Sequence, residues 1–143
     1  MTNIEKWNEI VKLYNNNYDR KEEFIQKLWE SIFPEYFDYS RLKNEINTHR
    51  SIRLGSTERI IPDIILRKDN KDLFVVELKQ FNTQLNYQYE RQLFSYLKQI
   101  KCNIGILICN KIYIYDYDYT KEDSEQDKYE ITFENDIKTE LNS

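Results

Sequence analysis

Near the start of the chain Ile4, Trp7, Ile10, Val11 and Tyr14 recur at three- and four-residue steps, the spacing of one helix face, and predict a short amphipathic helix over residues 4–14. Asn15, Asn16 and Asn17 break that pattern. Asp19 is placed to cap a second helix over about 20–33, ended before Pro34, with Phe24, Ile25, Leu28, Trp29, Ile32 and Phe33 as its apolar stripe. Residues 42–54 read as a partly polar strand, followed by a turn at Gly55, Ser56 and Thr57. Residues 60–66 and 73–78 are apolar on both alternating faces, as central strands covered on two sides are, and Asp69 and Asn70 sit at the turn between them. Leu85, Tyr89, Leu93, Tyr96, Leu97 and Ile100 predict a helix over about 83–100, and 104–109 and 111–117 read as two further strands. The order ααβββαββ implies an α/β sandwich with a central mixed sheet. From Thr120 on, the chain is acidic and reads as a frayed or edge appendage.

Three charged side chains intrude on the apolar central strands: Asp63, Glu77 and Lys79. Burying ionised groups is costly unless they are paired or bind metal. Glu77 and Lys79 are two apart and project from one face of their strand, while Val76 and Leu78 project from the other. With the turn centred near Asn70, antiparallel pairing sets Asp63 opposite Glu77, where facing Cβ atoms stand about 4.5–5.5 Å apart. Adjacent carboxylates repel each other, and a divalent cation relieves that repulsion. Mg²⁺, with Mn²⁺ as an alternative, suits oxygen donors and is commonly held by one or two carboxylates plus water and phosphate oxygens. Such an ion supplies an activated water and stabilises charge on a phosphoryl oxygen, while Lys79 orients the water or neutralises developing charge. The competing reading is an ordinary ion pair between Glu77 and Lys79 or an arginine.

The remaining composition narrows the classes. At 143 residues, 40% hydrophobic and 32% charged, the chain fits one globular domain. No apolar run approaches the roughly 20 residues of a bilayer-spanning helix, and the N-terminus alternates charged and apolar residues where a secretory signal would be continuously apolar. A cytoplasmic, membrane-free protein is expected. Cys102 and Cys109 are an odd number of residues apart, on opposite faces if both lie in one strand, and His49 is the only histidine, so a disulfide framework and the usual zinc sets are excluded. His49 is taken as a solvated strand residue. A net charge of −4 argues against nucleic-acid binding by global charge. Residues 41–59, however, concentrate Arg41, Lys43, Arg50, Arg53 and Arg59, and Arg50, Arg53 and Arg59 are the candidates for contact with phosphate.

Pro62-Asp63, thirteen residues, then Glu77-Leu78-Lys79 resembles the PD-(D/E)xK nuclease superfamily, with its motif on a β-hairpin between two helices. Gln92-Leu93-Phe94-Ser95-Tyr96 is similar to the QxxxY element of its exonuclease and restriction branches. Residues 104–110 look like the strand and turn near the end of the nuclease domain of type I restriction motor subunits. The resemblance covers about residues 20–117. It implies a restriction-endonuclease-like α/β/α sandwich, a single nuclease-like domain over 1–118 and an appendage over 119–143. It also implies Mg²⁺-dependent hydrolysis of DNA, with Asp63 and Glu77 as metal ligands, Lys79 as a catalytic group, and Gln92 and Tyr96 supporting Lys79 or a phosphate. The family places a further glutamate on the preceding helix. Helical rotation puts Glu22, not Glu23, on the Ile25–Trp29 face, with Glu45 as runner-up. No P-loop is present, so a separate ATPase or restriction-complex subunit is the further candidate partner, and a homo-oligomer stays open. The alternative is a catalytically inactive binding or assembly module of the same fold.

Overall fold

The computed structural model describes residues 1–54, 58–121 and 126–135. Among these residues three helices and eight strands follow one another as α1 (Asn3–Asn16), α2 (Glu22–Phe37), β1 (Ile46–Asn47), β2 (Ile52–Leu54), β3 (Glu58–Ile60), β4 (Ile64–Lys68), β5 (Lys71–Leu78), α3 (Tyr87–Ile100), β6 (Ile104–Ile108), β7 (Lys111–Asp116) and β8 (Asp127–Thr132). Six strands form a mixed sheet in the order β1-β4-β5-β6-β7-β8, and β2 and β3 form a separate two-stranded ribbon. Only β5 and β6 run parallel, as the crossover through α3 requires.

Helices cover both faces of the sheet. On one, Ile10 of α1 and Ile25, Trp29, Ile32 and Phe33 of α2 pack on Ile64, Leu66, Val76 and Leu78. On the other, Leu93, Tyr96 and Leu97 of α3 pack on Val75, Leu107, Tyr113 and Tyr115. Alternation along β5 therefore sends Val76 and Leu78 to one layer and Val75 and Glu77 to the other. Gly105 permits the close seating of α3, since a Cβ there would lie 2.9 Å from the Leu93 side chain. No helix among the described residues is long and apolar enough to cross a membrane.

The structure departs from the sequence expectations at several boundaries. α2 does not stop before Pro34 but runs through it to Phe37, and its N-cap is Lys21, not Asp19. Proline deprives the carbonyl four residues earlier of its donor. That carbonyl belongs to Glu30 and accepts a hydrogen bond from the Arg41 guanidinium instead. α3 begins only at Tyr87, where the Asn86 side chain accepts from the Tyr89 N–H. The single strand expected over 42–54 is two short strands, β1 on the main sheet and β2 on the ribbon. His49 lies between them, not on a strand. The strand expected over 60–66 is likewise interrupted, because the chain leaves the ribbon at Ile60 and joins the sheet at Ile64. The turn expected at Gly55, Ser56 and Thr57 lies outside the described residues. Cys102 precedes β6, so strand alternation does not separate it from Cys109; both are free, buried thiols in the α3-side core. The acidic stretch contributes edge strand β8, and Phe133 beyond it is buried against Tyr14, with ring centroids 4.2 Å apart.

Candidate functional site

The β4–β5 hairpin sets the register on which the site depends. Asp69 and Asn70, with φ of 51° and 61°, close it as the two left-handed residues of a tight turn. Lys68 pairs with Lys71 and Arg67 with Asp72, but the next pairs are Leu66 with Phe74, Ile65 with Val75 and Ile64 with Val76. Leu73 is thus an extra residue, a β-bulge. The bulge is held from both sides: Arg67 Nε donates to Asp72 Oδ1 at 2.8 Å, and the Cys102 thiol donates to the Leu73 carbonyl at 3.3 Å. Continuing the shifted register by one residue brings Asp63, which lies just before β4, opposite Glu77.

The side chains close that pairing. The Asp63 N–H donates to Glu77 Oε1 at 3.0 Å, and the Leu78 N–H donates to Asp63 Oδ2 at 2.7 Å. Each carboxylate is therefore anchored on the backbone of the opposite strand. Glu77 is only 4% exposed and is the one buried charged residue among those described. Burial, and then the charge of Asp63, push the Glu77 carboxyl well above the usual carboxylate range. Burial raises Asp63 as well, against the Leu78 N–H that favours its ionised form.

Lys79, two residues beyond Glu77, sits at the rim of this pair. Its ammonium lies 3.9 Å from Glu22 Oε1 on the first turn of α2 and 4.6 Å from the centre of the Tyr89 ring on α3. Glu22 thus joins the cluster, as its helical rotation predicts. Glu45 does not: its carboxylate accepts from Lys68 Nζ at 3.0 Å and from the Ser40 N–H at 2.8 Å. On α3, Tyr96 is buried, one helical turn after Gln92. Its hydroxyl is raised above the usual tyrosine range first by burial and then by the charges of Glu77 and Asp63.

The basic candidates divide. Arg50 is committed to Asp72 by a bidentate pair at 3.0 and 3.1 Å. Burial would raise the Asp72 carboxyl, but Arg50 and Arg67 outweigh it and hold the acid below its ordinary value. Arg53 and Arg59 face each other across the β2–β3 ribbon and are exposed, whereas Ile52 on the opposite face of the ribbon is buried in the α3-side core.

The helical-stripe and strand arguments missed two contacts. Gln26 Nε2 donates to the Asp63 carbonyl at 2.9 Å. Its position one turn after Glu22 was the available signal, because residues four apart share a helix face. Tyr89, read only as a packing residue, also carries the Lys79 ammonium on its ring. Between α2 and the segment before β4 runs a groove of about 650 Å³ lined by Glu22, Gln26, Lys27, His49, Ile61 and Asp63.

Among the described residues no three His, Cys, Asp or Glu side chains converge as a ready-made metal cage. What Asp63 and Glu77 offer is two adjacent carboxylates, each with one oxygen fixed by a backbone N–H. That donor set fits a hard divalent ion such as Mg²⁺, which often takes one or two carboxylates and completes its shell with water and phosphate. It does not fit a cation that demands a closed protein cage. A family model described as a domain of unknown function (DUF8371) matches residues 1–113, a span that includes every residue of this cluster. No curated protein and no solved structure matches the chain.

Proposed function

The chain belongs to the DUF8371 family, and for this member we propose a Mg²⁺-dependent nuclease that hydrolyses DNA phosphodiester bonds on a restriction-endonuclease-like fold of the PD-(D/E)xK kind. The observation that carries the reading is the buried Asp63–Glu77 pair with Lys79 and Glu22 at its rim. Two adjacent acids, both raised by burial, are costly to ionise together, and a divalent ion lifts that cost. When bound, Mg²⁺ supplies an activated water and neutralises charge on a phosphoryl oxygen. Asp63 and Glu77 hold the ion. Lys79 orients the attacking water or meets charge developing on the phosphate. Tyr96 and Gln92 back the site from α3, and Arg53 and Arg59 hold flanking phosphates from the ribbon.

A second reading, a binding or assembly module without activity, draws on the absence of a three-carboxylate cage among the described residues. Isothermal titration with Mg²⁺ or Mn²⁺ separates the two. The nuclease reading expects saturable binding by the parent, and loss of it in Asp63→Ala and Glu77→Ala with folding retained. Each variant removes a ligand and also relieves repulsion, so its melting temperature in EDTA stays level or rises. Unfolding of both variants would instead make the pair a structural one.

A further inference from the structure

Asp63 carries more of the site than its carboxylate alone, yet it lies in a bend between β3 and β4, outside either strand. Its three polar groups are held by three different residues. The N–H goes to Glu77, the carboxylate accepts from Leu78, and the carbonyl accepts from the Gln26 side chain at 2.9 Å. The first two contacts come from β5, across the hairpin. The third is the one by which α2 reaches Asp63, and the same helix face sends Glu22 to Lys79 one turn earlier.

From this arrangement we infer that Gln26 is a positioning residue for Asp63, and that through it α2 fixes where Asp63 stands relative to Glu77 and Glu22. The inference rests on the nuclease reading. A partly buried carbonyl without a donor is costly, so removing the amide favours rotation of the 63–64 peptide toward solvent. That rotation also turns the Asp63 side chain away from the Leu78 N–H, because both belong to one short bend. Asp63 then meets a cation in several orientations instead of one. Groups that orient a metal ligand in this manner are typically worth about 10- to 100-fold in affinity or activity.

Two isosteres isolate the donor. Gln26→Met keeps the length and removes all polarity. Gln26→Glu keeps length and polarity and adds a negative charge beside the site, which by its field alone draws a cation more tightly. If the amide donor to Asp63 is what matters, both weaken Mn²⁺ binding by about 10-fold or more in calorimetric titration. Turnover of plasmid DNA falls with them at limiting Mn²⁺, while KM for DNA stays at the parental value. Lys27→Met, in the same groove but without a contact to Asp63, does not weaken Mn²⁺ binding. Circular dichroism and melting temperature establish that each variant is folded, and a variant that fails this test is replaced by Gln26→Leu. Parental affinity in the Met variant, or tighter binding in the Glu variant, overturns the role of Gln26 and leaves the nuclease reading intact. Absence of Mn²⁺ binding by the parent itself overturns both.

Discussion

Lys79 stands at the rim of the acid pair, where Glu22 rather than Asp63 or Glu77 is its carboxylate partner. Its ammonium is shared between Glu22 and the face of Tyr89, and its side chain is only 18% exposed. An ammonium has donors alone and cannot ligate a metal. On the proposed mechanism its contribution is to charge and proton handling near the pair, while its ammonium rests on the Tyr89 ring. Lys79→Met keeps the stem of the side chain, so the fold should persist and Mg²⁺ should bind at least as tightly as in the parent, a nearby positive charge having gone. DNA cleavage should nevertheless drop by about 10²-fold or more. A plasmid-nicking assay at saturating Mg²⁺ checks this, and parental cleavage by the variant would remove Lys79 from the mechanism.

Among the elements, the β2–β3 ribbon has the clearest division of labour. Arg53 and Arg59 are directly paired across the strands, and like charges in that position repel. An anionic partner on that face removes the repulsion. Ile52 on the other face anchors the ribbon to the α3-side core. Arg50, three residues before Arg53, does different work, since its guanidinium ties the chain to Asp72 beside the Leu73 bulge. The Arg53→Ala/Arg59→Ala double variant should therefore weaken DNA binding and reduce the slope of log K against log salt by about 1–2. Arg50→Ala should leave that slope unchanged and lower stability by about 1–2 kcal/mol, the scale of a charged bidentate hydrogen bond. Fluorescence anisotropy over a salt series, together with thermal melts, separates the arginines. Equal slopes for parent and double variant would place the nucleic acid elsewhere.

Over the whole molecule, the buried acid pair makes stability depend on pH. Asp63 and Glu77 have folded-state pKa values raised above their unfolded ones. The stability they contribute is fully present below the ordinary carboxylate value of about 4 and is lost as pH rises through the raised values. Acids held low, such as Asp72, act in the opposite sense, losing stability as pH falls. A difference measurement isolates the pair. Glu77→Gln mimics the protonated acid, so in EDTA its melting temperature should exceed the parent's by a margin that widens from about pH 5 to pH 8. Adding Mg²⁺ should narrow the margin by stabilising the parent alone. Scanning calorimetry across that range checks it, and a constant margin would mean that Glu77 does not titrate there.

Much of this molecule is legible in its residues. The stripes of Ile25 and Trp29 on α2 and of Leu93, Tyr96 and Leu97 on α3 give the helices, and the apolar runs around Ile65 and Val75 give the central strands. Charged residues within those runs give Asp63, Glu77 and Lys79, because burial of a charge is rare enough to stand out. Helical rotation selects Glu22. What local pattern does not supply is contact at a distance in sequence. The passage of α2 through Pro34 depends on Arg41 taking the Glu30 carbonyl, seven residues beyond the proline. The division of labour among Arg50, Arg53 and Arg59 depends on Asp72, and the amide of Gln26 depends on a carbonyl 37 residues away.

The bulge at Leu73 imposes a rule of parity on the motif. In a hairpin closed by a two-residue turn, facing residues are an odd number apart, as Lys68 and Lys71 are by three and Arg67 and Asp72 by five. Asp63 and Glu77 are fourteen apart (77 − 63), an even separation that a regular hairpin of this kind cannot place face to face. One unpaired residue converts odd to even. Losing one residue between the turn and Glu77, with the bulge retained, would leave every letter of the motif in place and send the two carboxylates to opposite layers. Length changes in this hairpin are therefore neutral to the site only in twos, or singly when the bulge is gained or lost with them. The separation of the two acids along the chain is thus a coded statement about backbone geometry, and Leu73, the unpaired residue of the hairpin, is the digit that makes it even.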